Sequence, residues 1–411
     1  MKNIIVVGGG AAGMMAAYQA AGEGSHVILL EKMPSLGRKV LITGKGRCNI
    51  TNACDTQQLI KNMPGNGRFL HSAYREFDNT DMIGFIEQWG VQTKVERGGR
   101  VFPVSDKAKD VIDAFARALA KKQVEVITNQ PVRKLLVEDN QVVGVATDHK
   151  QYLADAVILA TGGASYPGTG SSGDGYKMAK ELGHAIIPLK PSLVPLEVTE
   201  DWIKELQGLS LKNVTATVLV GGKKQADDFG EMLFTHYGLS GPIILSLSKI
   251  VAEALNAGSK EVMLEINLKP ALSEEVLDKR IQRDWEKFSR KQLKNSLNEL
   301  LPTKLIPVII DLAFLDPDKF VNQITKSERA RLLRQLQHLT FTIQRTRPVS
   351  EAIVTAGGVS TKEINPATME SKLIKNLYFA GEVIDIDGYT GGYNLQAAFS
   401  TGYVAGKAIS E

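Results

Sequence analysis

Residues 3–7 (NIIVV) are an unbroken, largely β-branched apolar run that stops at Gly8, Gly9 and Gly10. Small and apolar residues of helix-forming type fill 11–21, and a second apolar run, His26–Leu30, ends at Glu31. Two short apolar runs flanking a helical stretch predict strand, glycine turn, helix and strand, the opening of a parallel α/β sheet. Residues 34–68 break that pattern with the segment PSLGRKVLITGKGRCNITN, too polar for a core and too orderly for a linker, which predicts a binding loop. Helical spacing returns over Asp110–Lys122. Val124–Thr128, Val132–Glu138 and Val142–Thr147 predict a meander of short strands, and Ala156–Ala160 an apolar strand ending in Thr161-Gly162-Gly163.

From Pro188 the texture changes. Alternating Thr/Val positions over Val214–Val220, a GGKK turn at 221–224 and a run over Val262–Leu268 predict an antiparallel unit. Residues 273–340 are charged and periodically apolar without strand-like runs, which predicts a helical cluster. After Arg345 the glycine-rich texture of the N-terminal part returns, with a last helix from Leu395. A chain of 411 residues is long for one core. The expected architecture is an α/β dinucleotide-binding Rossmann domain made of 1–190 and 345–411, with a β-rich insert over 191–272 and a helical insert over 273–344.

Composition removes several alternatives. With 49 basic against 45 acidic residues the net charge is only +4, which gives no reason to expect a nucleic-acid partner. The two cysteines, Cys48 and Cys54, lack metal-ligand or CxxC spacing and fit a reducing compartment. No secretion signal and no apolar stretch of spanning length is apparent, so a soluble, cytoplasmic protein is expected, with no membrane association and no basis for an oligomeric state.

Gly8-x-Gly10-x-x-Gly13 lies between the first strand and the helix, where a tight turn, a close approach to a pyrophosphate and helix–strand packing each favour glycine. Glu31, at the end of the second strand, suits ribose hydroxyls. A simple NAD enzyme would continue with alternating strands and helices, whereas here the polar loop of 35–52 follows and a second cofactor-like segment lies near the C-terminus, which favours FAD. There Asp385, Asp387, Gly388, Gly391 and Gly392 make an irregular turn into a helix from about Asn394, whose first amides could stabilise negative charge on a flavin. The same turn also reads as a plain helix cap with Asn394 as N-cap.

The blocks GGGAAGMMAA, GRKVLITGKGRCNITN, ATGGASYPGTGSSGDGY, FTHYGLSGP and AGEVIDIDGYTGGYNLQAAFSTG resemble the HI0933-like (BaiN/YhiN-type) flavoproteins. The resemblance implies a glutathione-reductase-like FAD domain with a β-rich and a helical insert. It places Gly8, Gly10, Ala12, Gly13, Glu31 and Lys32 at the ADP half of FAD, with the Val132 backbone at the adenine. Lys39, Thr43, Gly44, Arg47, Cys48 and Asn49 line the flavin side of the loop, and Ala160, Thr161, Gly162 and Gly163 pass the adenosine half. Gly381 and Glu382 sit at the ribityl and pyrophosphate, and Gly392, Tyr393, Asn394, Leu395 and Gln396 approach the isoalloxazine. Lys45 stands where the family more often has a small residue. The Gly173-Asp174-Gly175 segment resembles the TGDG of fumarate-reductase-type flavoproteins, with Ser172 for the threonine.

No second GxGxxG is present for a built-in nicotinamide domain, so NADH or NADPH would dock transiently. The catalytic candidates are His236 and Tyr237, as proton suppliers, and Arg345, with Arg347, as a clamp for a substrate carboxylate; packing and salt-bridge roles are the plainer readings. The expected function is an FAD-dependent oxidoreductase that moves hydride through flavin N5 to or from a small organic substrate, as a reductase, dehydrogenase or oxidase. A tRNA-acting flavoprotein and a non-catalytic flavin sensor are the alternatives, and no metal is expected.

Overall fold

The computed structural model describes every residue except Lys260. The chain forms two compact units, Met1–Ser192 with Val349–Glu411, and Leu193–Pro348.

The first unit opens as strand β1 (Lys2–Val7), helix α1 (Ala11–Ala20) and strand β2 (Ser25–Leu30). The polar loop holds helix α2 (Arg38–Ile42) and strand β3 (Thr51–Asn52), followed by helices α3 (Thr56–Lys61), α4 (His71–Glu76) and α5 (Asn79–Gln88). Strands β4 (Thr93–Glu96) and β5 (Arg100–Pro103) pair with β3 in a small antiparallel sheet. Helix α6 (Ala108–Lys121) then leads to β6 (Glu125–Ile127). This strand, expected in a meander, instead pairs in parallel with β2 at the edge of the main sheet. The amphipathic helix before it supplies the crossover that a parallel pair requires, and its exposed Glu125 and Val126 suit an edge.

Strands β7 (Val132–Glu138), β8 (Gln141–Thr147) and β9 (Gln151–Leu153) make the meander. Strand β10 (Ala156–Leu159) returns to the main sheet beside β1, and helix α7 (Asp174–Glu181) and strand β11 (Ile186–Ser192) follow.

The second unit is a closed six-stranded barrel: β12 (Leu196–Val198), β13 (Ser210–Val220), β14 (Lys223–Phe234), β15 (Gly238–Ser240), β16 (Val262–Asn267) and β17 (Leu339–Thr346), joined in the order β12-β15-β14-β13-β16-β17. Helices α8 (Pro242–Asn256), α9 (Glu274–Lys287), α10 (Leu305–Leu312) and α11 (Lys326–Gln337) accompany it. Residues 339–344, expected to be helical, form a strand because Leu339, Phe341 and Ile343 alternate into the core between Thr340, Thr342 and Gln344. Barrel residues such as Leu264 and Phe341 share one apolar core with Leu277, Ile309 and Leu332 of the helices.

The chain re-enters the first unit through β18 (Val354–Val359), paired with β11, and β19 (Leu377–Phe379), paired in parallel with β10. The completed parallel sheet runs β19-β10-β1-β2-β6. The last helix, α12 (Tyr393–Ser410), lies along α1, and only glycine permits so close an approach. A Cβ on Gly402 would come within 2.3 Å of the Ala12 carbonyl oxygen, and one on Gly406 within 2.5 Å of that of Ala16.

Candidate functional site

The glycine turn between β1 and α1 divides its labour. Gly8 has φ +105°, and a Cβ there would lie 2.5 Å from the Ala160 carbonyl oxygen at the end of β10. A Cβ on Gly13 would lie 1.8 Å from the Gly8 carbonyl oxygen. Gly10, by contrast, has open space around its missing Cβ. Folding therefore demands glycine at 8 and 13 but not at 10. No side chain caps α1 and no acid lies in its first turn, so its leading amides and positive dipole end present themselves to an anion.

Glu31 is buried beneath this turn. Its Oε2 accepts from the Gly9 amide at 2.6 Å and its Oε1 from the Met33 amide at 2.7 Å, which leaves further lone pairs for hydroxyl donors. Lys32 Nζ donates to Asp174 Oδ2 at 2.6 Å and to Ser172 Oγ, tying β2 to the start of α7. Burial opposes ionisation of Asp174, but the bonds from Lys32 and Ser172 outweigh it and hold the carboxyl below its usual range. Backbone bonds from Asn129 to Met33 and from Gln130 to Glu31 bring the entry to β7, with the buried Val132, alongside the same acid.

Two buried polar groups here lack a hydrogen-bond partner: Gln130 Nε2, beside Glu31, and Thr161 Oγ1, just beyond Ala160. Gly162 (φ +72°) and Gly163 complete that crossing, and a Cβ on Gly163 would meet Thr355 Oγ1 at 2.6 Å.

A second cluster centres on Glu382. Its Oε2 accepts from Lys39 Nζ at 2.7 Å, and its Oε1 from the Thr355 amide at 2.8 Å and Ser165 Oγ at 3.2 Å. Gly381, at φ +75°, sits against Ala12 and donates its amide to Thr401 Oγ1 at 2.9 Å. Ser165 and Thr355 carried no sequence signal; only the fold brings them to Glu382.

The polar loop is built by its own bonds. Thr43 Oγ1 donates to the Val40 carbonyl at 2.7 Å, and Gly44 (φ +57°) packs against the Asn49 backbone. Arg47, expected to line the flavin side, is engaged by a fork to Glu96 at 2.8 and 3.0 Å, by Asp106 at 3.1 Å, and by the Phe102 ring 3.9 Å below it. Cys48 is buried, which pushes its thiol up to about 12. With its amide oriented as its neighbours require, Asn49 donates to the Thr51 and Val101 carbonyls and accepts from Gly392 N at 3.0 Å.

Gly392, at φ +98°, is the N-cap of α12; Asn394, the cap in the alternative reading of this turn, lies inside the helix. The cap position needs a left-handed backbone and passes within 2.4 Å of the Thr51 oxygen at its missing Cβ, which excludes asparagine there. Asn394 closes the preceding turn instead, accepting from Gly388 N at 2.7 Å and donating to its carbonyl at 2.8 Å. Gln396 is spent on Thr51 Oγ1, 2.6 Å away, and Ser400 Oγ, 2.9 Å away, and Leu395 is half-buried. Burial pushes the Tyr393 phenol up to about 12, so neither it nor Cys48 places negative charge here at neutral pH.

The N-terminus of α12, like that of α1, has no side-chain cap. Contacts of Gly402 with Ala12 and of Gly406 with Ala16 show that the two helices run in the same direction. At a helical rise of about 1.5 Å per residue, the start of α12 then lies roughly 12 Å ahead of the start of α1. Two anion-favouring helix ends at this spacing, with a buried carboxylate beside the first, form an extended cradle.

The second unit gathers the other candidates. Glu197 is buried and accepts from Arg345 Nε at 2.7 Å and Arg347 Nη1 at 2.5 Å; burial opposes its ionisation, but the two arginines hold it low. The Arg347 guanidinium lies 4.7 Å from the Tyr237 ring centre, and the exposed His236 meets Tyr237 edge-on at 4.8 Å. Arg345 is thus anchored at Nε, with its side chain 67% exposed.

No helix among the described residues is long and apolar enough to cross a membrane. The family model of the HI0933-like protein Rossmann domain matches residues 2–408. A 3-dehydro-bile acid delta(4,6)-reductase of Clostridium scindens is 33% identical, with both chains fully covered. A ribosomal RNA dihydrouridine synthase of Haemophilus influenzae is 32% identical over 99% of this chain and 98% of its own. Among solved structures, a 3-ketosteroid delta1-dehydrogenase of Sterolibacterium denitrificans shares the fold at TM-score 0.56 and 13% identity, with complete coverage of both chains. The glycine turn, the parallel sheet and the barrel-containing insertion are therefore those of a mixed α/β Rossmann protein, and the chain belongs to the HI0933-like family.

Proposed function

We propose that the cradle of the first unit holds FAD and that the chain is a flavin-dependent reductase adding two hydrogens across a carbon–carbon double bond. The observation that carries the reading is the pair of uncapped, co-directional helix N-termini, one facing a glycine turn that folding alone does not require to be open at Gly10. A flavin dinucleotide is an elongated molecule with a diphosphate in its middle and an electron-rich ring at one end, which matches two anion-favouring ends at that spacing. Bound flavin would supply two-electron chemistry.

The protein's own residues do the rest. The α1 amides hold the diphosphate, Glu31 accepts from ribose hydroxyls, and the α12 amides favour negative charge at the ring. Lys39, paired with Glu382, sets the electrostatics between them. His236, Tyr237 and Arg345 are our candidates for handling substrate, with Arg345 anchored by Glu197.

The preference for double-bond reduction rests on the relatives: one is named for reducing an unsaturated bile acid, the other for making dihydrouridine, and both names describe hydrogenation of a ring double bond. NADH or NADPH is the proposed donor, docking transiently. Anaerobic mixing of the FAD-loaded protein with NADH or NADPH tests this: bleaching of the flavin is expected, and a flavin that no nicotinamide reduces overturns that donor. Arg345→Ala is expected to raise KM more than it lowers kcat; unchanged kinetics would remove Arg345 from the substrate-handling group.

A further inference from the structure

The mild overall charge conceals an uneven distribution. Between 279 and 294 lie Lys279, Arg280, Arg283, Lys287, Arg290, Lys291 and Lys294 against only Asp284 and Glu286. This stretch covers the C-terminal half of α9 and the turn after it, where basic groups also meet the negative end of the helix. Lys287 is shared with Glu299 and Lys294 with Asp318; Lys291 feels Glu299 only beyond ion-pair distance, and the exposed Arg290 makes no ion pair with a carboxylate among the described residues.

Two aromatic rings stand in the same place. Phe288 has Lys287 Nζ 4.8 Å and Lys291 Nζ 4.1 Å from its ring centre. Phe320 is brought alongside by backbone bonds of Val321 N to the Lys291 oxygen (3.1 Å) and Leu293 N to the Lys319 oxygen (2.9 Å), and it remains 44% exposed. An exposed phenylalanine costs solubility unless something covers it, and basic side chains around it select what that is.

We infer that this face of the second unit binds single-stranded nucleic acid, with Arg290 and Lys291 on the phosphates and Phe320 as a stacking platform for a base. Exposed cations beside an open ring are the combination such binding uses, since phosphates reward charge and every base offers a flat face. An acidic protein segment would use the cations but offers no base to stack, and an anionic membrane, which could take up the ring as well, is separated by the vesicle arm of the test. The inference does not depend on the redox reading, because binding at this face requires no flavin chemistry.

The test is fluorescence anisotropy of the full chain, FAD-loaded, with a labelled single-stranded oligoribonucleotide at several salt concentrations, repeated with anionic phospholipid vesicles. Arg290→Glu/Lys291→Glu is expected to weaken oligonucleotide binding more than tenfold and flatten its salt dependence, and Phe320→Ala to weaken it about tenfold, the scale of one lost base stack. Lys223→Glu, on the exposed hairpin between β13 and β14, is expected to change it less than twofold. No binding by the wild-type chain, binding indifferent to both the charge reversal and Phe320→Ala, or vesicle binding with loss only on charge reversal would each overturn the inference.

Discussion

Gly10 and Gly13 belong to one motif, yet the structure assigns them opposite reasons for being glycine, and alanine at each position separates the two. At Gly13 the new Cβ would sit 1.8 Å from a backbone carbonyl oxygen. Neither the turn nor the helix can yield, so Gly13→Ala is expected to cost at least about 3 kcal/mol, the upper end for an overpacked core, and to lower the melting temperature of the flavin-free protein by roughly 3–6 °C. At Gly10 the backbone has φ −81° and ψ −169°, open to any residue, and nothing lies within 4 Å of the missing Cβ. Alanine loses the modest advantage of glycine at an N-cap but reduces unfolded-chain entropy, and the two nearly cancel, leaving a net change within about 0.5 kcal/mol. The same methyl would intrude where a diphosphate meets the amides. Losing one or two charge-assisted hydrogen bonds there is worth about 1.5–3 kcal/mol, a tenfold to hundredfold rise in the FAD dissociation constant. Gly10→Arg should abolish binding. Thermal melts of the flavin-free proteins, with flavin content from visible absorbance, check both halves. Equal melting losses at the two positions, or wild-type flavin content in Gly10→Arg, would refute the placement of the diphosphate.

Glu31→Gln turns one acceptor into an amide donor facing either the Gly9 or the Met33 N–H, so the urea midpoint should fall by an amount corresponding to about 1–3 kcal/mol; an unchanged midpoint would mean those bonds carry no stability. Lys319 and the Thr325 capping box hold Glu328 at about 2, against an ordinary 4.5. Its contribution is therefore complete above about 4.5 and lost as pH falls toward 2, so the stability gap between wild type and Glu328→Gln should close over that window and stay constant above it. Native protein should expose one thiol to an aromatic disulfide reagent, the half-buried Cys54, and denatured protein two; rapid reaction of both in the native state would contradict the burial of Cys48.

What the sequence revealed was local. The run Ile4–Val7, the glycine spacing and Glu31 lie within thirty residues, and a single strand-turn-helix-strand unit expresses them. The hidden features depend on distance along the chain. Val124–Thr128 resembled its meander neighbours in sequence, and only pairing with β2 sets it apart. The barrel includes β12 and β15, three residues each, too short to display a period. Residues 339–343 did show alternation, but it was masked by the charged helical stretch before them. The Glu382 cluster joins residues from four separate stretches of chain, so Ser165 and Thr355 could not have been found in advance. Arg47 was placed on the flavin side by the family resemblance alone; the carboxylates that engage it, Glu96 and Asp106, lie 49 and 59 residues further along the chain, beyond what local sequence displays.

The most direct measurement is reoxidation of the reduced, FAD-loaded protein under anaerobic conditions by an unsaturated ketone, with the saturated ketone as control. The flavin is expected to regain its visible absorbance with the unsaturated compound alone, and the product to carry two more hydrogens. Failure to bind FAD stoichiometrically, or recovery of the flavin only on admission of air with every unsaturated acceptor offered, would contradict a double-bond reductase.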